Sequence, residues 1–266
     1  IFGLRYDYEP SFPAAGAEVR LSGGTTGLGA SATKKAEALN EALLQYGRTP
    51  HSFLVPSGLH VDEMQNSEDP VTGERTSQAV GVLSVLDRHK ERTEYYGYSP
   101  IVYASVKPMQ ISSSRGRYTD AQKRQRIQYL TQPAGGGRSN AASIIQGTAR
   151  EEVFIFDTPM RVSVGGRSID TNSPAFWAGL RSTLDHTVTL YSMDFGNLMQ
   201  PIYRYDVAGS GMDAKLSEGR INSWSPMQGE VTLQDEITAA GSVANEDGVQ
   251  SASRWQSGIA LLTGKQ

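Results

Sequence analysis

The sequence predicts an α/β fold: a mostly parallel or mixed sheet with helices on both faces, arranged as a three-layer sandwich. Three observations predict it. Ile101-Val102-Tyr103-Ala104-Ser105-Val106 and Val153-Phe154-Ile155-Phe156 are near-continuous apolar runs, the pattern of strands buried on both faces. Helical periodicity alternates with such runs along the chain, as a parallel sheet with crossover helices requires. A glycine-rich stretch, Leu21-Ser22-Gly23-Gly24-Thr25-Thr26-Gly27-Leu28-Gly29-Ala30-Ser31, leads straight into an amphipathic helix and a short apolar strand.

Residues 1–16 are rich in aromatics, proline and glycine and read as an entry segment from a preceding region, with residues 17–266 as one core domain. Ala17 to Leu21 is expected as a strand. Gly23, Gly24, Gly27 and Gly29 then mark a tightly shaped loop, because glycine tolerates positive φ and close backbone approach. Ser31 or Thr33 can cap the helix at about 33–46, where Ala36, Leu39, Leu43 and Tyr46 form one apolar stripe and Gly47 supplies the stop. Phe53 to Pro56 reads as a short buried strand. Residues 57–75 are polar and turn-rich, so a surface loop is expected there, with a second long polar region near 107–140. A helix from Ser77 to Arg92 follows from Val80, Leu83, Val85 and Leu86.

Thr119 to Leu130 reads as a basic helix anchored by Ile127 and Leu130. Met160 to Val164 is expected to extend or pair with the 153–156 strand. Ser173-Pro174 is a cap followed by proline at the first helical position, and the helix from Pro174 to Leu184 is expected to bury Phe176, Trp177, Leu180 and Leu184. Thr187 to Tyr191 and Ile202 to Val207 read as strands, Ala214 to Ile221 as a short helix, and Glu230 to Leu233 and Trp255 to Leu262 as late strands or helical segments.

Composition narrows the function classes. A net charge of −3 over 266 residues gives no broad electrostatic footprint for nucleic acid. No run of about eighteen apolar residues is present to form a membrane-spanning helix, and no signal peptide is visible. With no cysteine there are no disulfides, thiol nucleophiles or thiolate metal sites, which fits a protein made in a reducing compartment. The chain opens on Ile1-Phe2-Gly3-Leu4, from which a fragment of a longer chain is expected.

Several enzyme patterns are present in part. Gly24-x4-Gly29-Ala30-Ser31 has the spacing of a phosphate-binding loop, but alanine stands where a lysine must reach the phosphates. Ser22-Gly23-x3-Gly27-x-Gly29 looks like the cofactor loop of short-chain NAD(P)-dependent oxidoreductases, and Tyr103-x3-Lys107 supplies their proton-donor pair. In that family the pair lies one turn apart on a helix, whereas in a strand ended by Pro108 the two residues stand roughly 13 Å apart. Ser31-x2-Lys34 matches a serine acyl-enzyme pattern without its companion motifs, and a helix cap explains it more simply. The histidines at 51, 60, 89 and 186 are scattered; His60-Val-Asp62-Glu63 offers metal-ligand types in a polar loop, where solvated side chains are the plainer reading. Asp185-His186 suits a helix end as readily as a triad, and no Gly-x-Ser-x-Gly elbow is present. Arg115, Arg117, Lys123, Arg124, Arg126 and Arg138 form the one basic cluster, to be read as a solvated face, a contact for an acidic partner, or a nucleic-acid contact lacking any recognition motif.

Four stretches in order carry a family resemblance. Leu21-x-Gly23-Gly24-x-x-Gly27, followed by a helix with Ala38-Leu39 and a strand ending Leu54-Val55-Pro56, resembles the core domain of contractile phage tail sheath proteins. Those carry a Gly-Gly-x-Asp-Gly loop, where Thr26 stands here for the aspartate. Ala175-Phe-Trp-Ala178-Gly179-Leu180 with Asp185 is similar to the family's Ala-Gly-x-x-Ala-x-x-Asp helix. Leu216-x3-Arg220-Ile221-Asn222 resembles its Gly-Ile-Asn segment, with Arg220 in place of glycine, and Gly229-Glu-Val231-Thr-Leu-x4-Thr238 resembles the strand that follows. The resemblance covers roughly residues 20–240. It implies a structural protein with no catalytic residue, cofactor or metal, in which Gly23, Gly24, Gly27 and Gly29 shape a loop and Gly179 lets its helix pack closely. It further implies hexameric rings stacked around a tail tube, contacts with tube and baseplate proteins, and contraction that drives the tube through the host envelope. Assembly in the host cytoplasm, residence in the virion tail, and terminal arms that add strands to neighbouring subunits belong to the same implication. Neither nucleic acid nor membrane is an expected partner.

Overall fold

The computed structural model describes residues 31–56, 58–68, 75–79, 82–109, 118–131, 152–171, 174–185, 188–190, 193–205, 212–225, 229–240, 243–245 and 248–250. The entry segment, the 17–21 strand, the glycine loop with Gly23, Gly24, Gly27 and Gly29, and the 255–262 segment lie outside the described residues.

Helix α1 (Ala32–Tyr46) is the amphipathic segment expected. Ser31 caps it, its side chain accepting the Lys34 N–H at 3.3 Å, and Ala36, Leu39 and Leu43 are its buried stripe. Gly47 ends it in right-handed geometry, and a side chain there would run into the Leu43 carbonyl. Strand β1 (Phe53–Leu54) follows. Residues 57–75 hold more than a loop: β2 (Met64–Glu68) and β3 (Arg75–Ala79) pair antiparallel from Met64↔Ala79 to Glu68↔Arg75. Their sequences, Met-Gln-Asn-Ser-Glu and Arg-Thr-Ser-Gln-Ala, have no apolar alternation by which to signal a strand. Because β3 takes residues up to Ala79, helix α2 runs from Leu83 to Tyr95 rather than starting at Ser77.

Strands β4 (Ile101–Ser105) and β5 (Val153–Asp157) are buried at every position, as their apolar runs predict. Between them lies α3 (Asp120–Thr131). After β5 come β6 (Met160–Val164), β7 (Arg167–Thr171), helix α4 (Pro174–Arg181), β8 (Met199–Pro201), helix α5 (Met212–Glu218), β9 (Asn222–Ser223), and a small hairpin of β10 (Val243–Asn245) and β11 (Gly248–Gln250). Strand β6 does not extend β5. It joins a separate antiparallel sheet in the order β7-β6-β8. Of the strand expected at 202–207, residues 202–205 form none, β8 lying just before them, and 206–207 lie outside the described residues; Val188–Leu190 form no ladder among the described residues.

The organising sheet is parallel throughout, in the order β1-β4-β5-β9, with Phe53 opposite Ile101, Val102 opposite Val153, and Phe156 opposite Asn222. Alternation along its strands divides the core in two. Val102, Ala104, Val153 and Ile155 face α1, α2, α3 and α5 through Leu39, Leu43, Leu86, Ile127, Leu130 and Leu216. Ile101, Tyr103, Phe154 and Phe156 face the other way, into a cluster with Trp177 of α4, Phe195, Met199 and Trp224. The indole N–H groups at this aromatic centre are satisfied: Trp177 donates to the Thr158 hydroxyl at 2.8 Å and Trp224 to the Pro159 carbonyl at 3.0 Å.

The chain after α5 is sewn into β5. Arg220 sits at φ 63°, a left-handed conformation that favours glycine, and its guanidinium donates to the Ala239 carbonyl at 2.6 Å. Asn222, wholly buried, donates its amide to Ile155 O at 3.0 Å and Ile237 O at 2.9 Å and accepts the Ile237 N–H at 2.8 Å. Thr238 bridges Phe154 antiparallel, so the 229–238 segment reaches the sheet centre.

Candidate functional site

All four strands of the organising sheet run the same way, so their carboxyl ends share one edge, where open α/β sheets gather chemistry. Ser105–Lys107 after β4, Asp157 at the end of β5 and Leu59–Glu63 after β1 meet there, joined by α3 and by Tyr203 and Tyr205.

Asp157 is at the centre, with no exposure to solvent. It accepts the hydroxyls of Tyr203, at 2.9 Å, and of Tyr205. The Arg126 Nε stands 3.6 Å from its second oxygen, and Arg126 Nη2 donates to the Lys107 carbonyl. Burial works against the Arg126 charge, but Asp157 and the nearby tyrosines outweigh it and hold the guanidinium pKa above its usual value. Burial, reinforced by Asp157, pushes both tyrosines well up, so they stay protonated donors. Tyr118 stands edge-on to Tyr203 with ring centroids 4.8 Å apart and donates to the Met109 carbonyl at 2.6 Å.

Beside this cluster, His60 Nδ1 and Ser105 Oγ share a hydrogen bond at 3.2 Å, and the His60 backbone N–H donates to the Glu63 carboxylate at 3.0 Å. Burial lowers the His60 pKa, partly opposed by Glu63 and Asp62. Asp62 accepts the Lys107 N–H at 2.6 Å and the Tyr129 hydroxyl at 3.1 Å, and burial followed by Asp62 pushes Tyr129 up to about 12. Serine, imidazole and carboxylate are the parts of an acyl-transfer site, which also needs an open nucleophile and free amides for the oxyanion. Here Ser105 is 2% exposed, the Val106 N–H is bonded to the Phe156 carbonyl and the Lys107 N–H to Asp62. The groups are used to pin the 59–63 turn onto β4.

A third buried constellation lies on the aromatic side. Arg181, at the end of α4, donates to Glu236 and to the Val188 carbonyl, and Glu236 also accepts the Leu190 N–H at 2.7 Å. Burial raises the Glu236 pKa against the pull of Arg181.

Residues singled out from the sequence fare unevenly. Arg126 does not belong to a solvated basic face: it is 9% exposed and committed to Asp157, because it shares the inward stripe of α3 with Ile127 and Leu130. Arg124 is exposed and Lys123 half-buried, while Arg115, Arg117 and Arg138 lie outside the described residues. Gly179 is exposed, and among the described residues a Cβ there would meet nothing within 4 Å; it lies on the solvent side of α4, opposite Trp177. Tyr103 is completely buried in β4 between Phe154 and Phe156, its hydroxyl pKa pushed up by burial, whereas Lys107 is exposed past the strand end. Ser31 is a helix cap. No three metal-ligating side chains converge among the described residues, and His186 lies outside them. Asp157, Glu236, Arg181 and the His60–Ser105 pair are not singled out by the sequence. The one signal for Asp157 is its position directly after Val-Phe-Ile-Phe, where a carboxylate must find a buried partner.

Comparison of the chain with models of protein families, with characterised proteins and with solved structures gives no match.

Proposed function

We propose that the chain is the core of a structural, polymer-forming subunit of the contractile tail sheath type, built into hexameric rings that stack around a tail tube and contract to drive it through a host envelope. The observation that carries this reading is the backbone at Arg220. The resembling family has glycine at this position of its Gly-Ile-Asn segment, and here the residue holds φ 63°, the conformation for which glycine is suited. A resemblance assembled from order and spacing thereby meets a physical requirement at its least conservative position. The following Ile221 and Asn222 are buried and bonded to β5, and the 229–238 stretch bridges the same strand. An architectural role also suits the buried carboxylates, each of which joins separate elements.

The same reading supplies a route to polymerisation. Strand β7 is an edge strand whose residues are exposed, and its outer side meets no strand among the described residues. Gly165 and Gly166, at φ 58° and 77°, form the two-residue turn that fixes its register on β6. Val164 and Arg167 then form the hydrogen-bonded pair next to the turn, which points the Ser168 N–H outward. A strand donated by a neighbouring subunit fits this edge. Ser168→Pro removes that outward donor without touching the β6 ladder. The variant is expected to melt within about 2 °C of the parent and to form no tubes where the parent does. Tubes of normal yield from Ser168→Pro would show that β7 takes no part in assembly.

A further inference from the structure

Two of the four histidines meet although 38 positions separate them. His51, in the turn before β1, stacks on His89 of α2 with ring centroids 5.4 Å apart and planes 18° from parallel. Tyr98 closes the corner, edge-on to His51 at 5.2 Å, its hydroxyl donating to the Gly47 carbonyl at 2.5 Å and lying 3.5 Å from His51 Nδ1. That nitrogen also lies 3.0 Å from the Thr49 carbonyl, a contact that suits a proton on Nδ1. The buried His51 Nε2 and both nitrogens of His89 meet no hydrogen-bond partner among the described residues. His89 is 2% exposed and faces a cavity of about 10 Å³ bordered by Thr93, Ser99 and Glu152.

An imidazolium needs two acceptors or water. At His89 it would instead face a second imidazole and the Arg92 guanidinium, which is held close by its bond to Asn40 of α1 at 3.1 Å. The other charged groups around the corner do not offset this. On α2, Lys90 pairs with Glu94 at 3.8 Å; from the 47–52 turn, Arg48 bonds the Tyr96 hydroxyl at 3.1 Å. Glu152, at the entry to β5, is the acidic group bordering the cavity and has interactions of its own. A metal in the plane of one stacked ring lies well out of the plane of the other, so the stack does not suit a shared metal, and no metal-ligand group of three is found among the described residues.

We propose that the His51–His89 stack is an acid-released clasp: with His89 neutral the stack holds the Gly47–Ser52 turn and edge strand β1 against α2, and a proton on His89 opens that corner. The anchoring is short, since β1 pairs over two residues and the Ile101 N–H reaches the Ser52 carbonyl at 2.9 Å. Burial first, then His51 and Arg92, lower the His89 pKa from 6.5 to about 4. Because the closed-state value is the depressed one, the clasp is at full strength above pH 6.5 and weakens as pH falls toward 4.

Hydrogen exchange measured at pH 7 and pH 5, corrected for the intrinsic rate, tests the clasp. The opening equilibrium for amides in 47–54 and 89–98 is expected to rise about twentyfold from pH 7 to pH 5, while 101–105 and 153–157 change little. His89→Phe, which keeps a stacked ring that cannot take a proton, should abolish the rise, and His51→Phe, which removes only the second contribution to the lowered His89 pKa, should reduce it. His60→Gln, altering the other histidine lowered by burial, should leave it intact. A rise that persists in His89→Phe, or one equally large at the sheet centre, overturns the proposal. Should His89→Phe not fold, a titration of the parent imidazoles by NMR decides: His89 titrating below pH 5 supports the clasp, and a midpoint of 6 or above refutes it.

Discussion

Asp157→Ala is expected to lower stability by about 3–5 kcal/mol, the loss that follows when one member of a buried ion pair is removed. For a domain of this size that corresponds to a fall in Tm on the order of 10 °C. The loss has three sources. Arg126 is left charged and 9% exposed with no carboxylate, and the buried hydroxyls of Tyr203 and Tyr205 lose their acceptor. The cluster also joins α3, β5 and the 203–205 segment, so its removal frees elements that pack over one face of the sheet. Asp157→Asn keeps an acceptor oxygen and should lose less than half as much. Replacing the pair together, Arg126→Met with Asp157→Leu, should recover much of the deficit, because no uncompensated charge then stays buried. Denaturant melts of the four proteins measure this coupling. A loss under about 1 kcal/mol for Asp157→Ala, the range of ordinary surface pairs, would mean that the carboxylate is not the centre of the cluster.

Trp177→Ala is expected to cost a similar 3–5 kcal/mol, for a different reason. The indole is wholly buried and stands at the middle of the aromatic cluster: Phe156 stacks on it at 5.5 Å, Phe195 meets it edge-on at 5.1 Å, and Trp224 lies 5.5 Å away. Truncation leaves a cavity in the only helix packed on that side of the sheet among the described residues, and removes the donor to Thr158. Trp177→Phe should cost roughly half as much, since a ring still fills most of the space. Leu198→Ala, at a residue 55% exposed, should change stability by less than about 0.5 kcal/mol. Equal melting of Trp177→Ala and Leu198→Ala would contradict the placement of α4 against β4 and β5.

What the sequence makes legible follows from how each element earns its stability. β4 and β5 are buried on both faces, so every residue before Asp157 is apolar, aromatic or small and the run announces itself. α1 buries one face, so its period shows, and its ends carry Ser31 and Gly47. The β2–β3 hairpin is held by backbone pairing between polar strands, which leaves no hydrophobic signature, and this displaces the expected start of α2. Arg126 is misleading because its neighbours in sequence are charged and polar, while its neighbours in space are set by the inward stripe of α3 and by Asp157, 31 positions later. Of the basic cluster, Arg126 is therefore a buried structural arginine, Arg124 is exposed and Lys123 half-buried, while Arg115, Arg117 and Arg138 lie outside the described residues. Gly179 is a glycine on a helix's solvent face, where composition alone gives no way to know which side it occupies. The His51–His89, Arg181–Glu236 and Asp157–Arg126 pairs all join separate elements, and such pairs become visible only once the strand order β1-β4-β5-β9 is known.

An architectural unit of a polymer assembles with copies of itself. Negative-stain electron microscopy of the product of the whole gene, over a range of salt and concentration, decides whether it does. Rings or tubes of uniform width are expected, formed with or without a tube protein, and dispersed particles once Ser168→Pro is introduced. Dispersed particles from the parent product under every condition, with tube protein present, would contradict an architectural role.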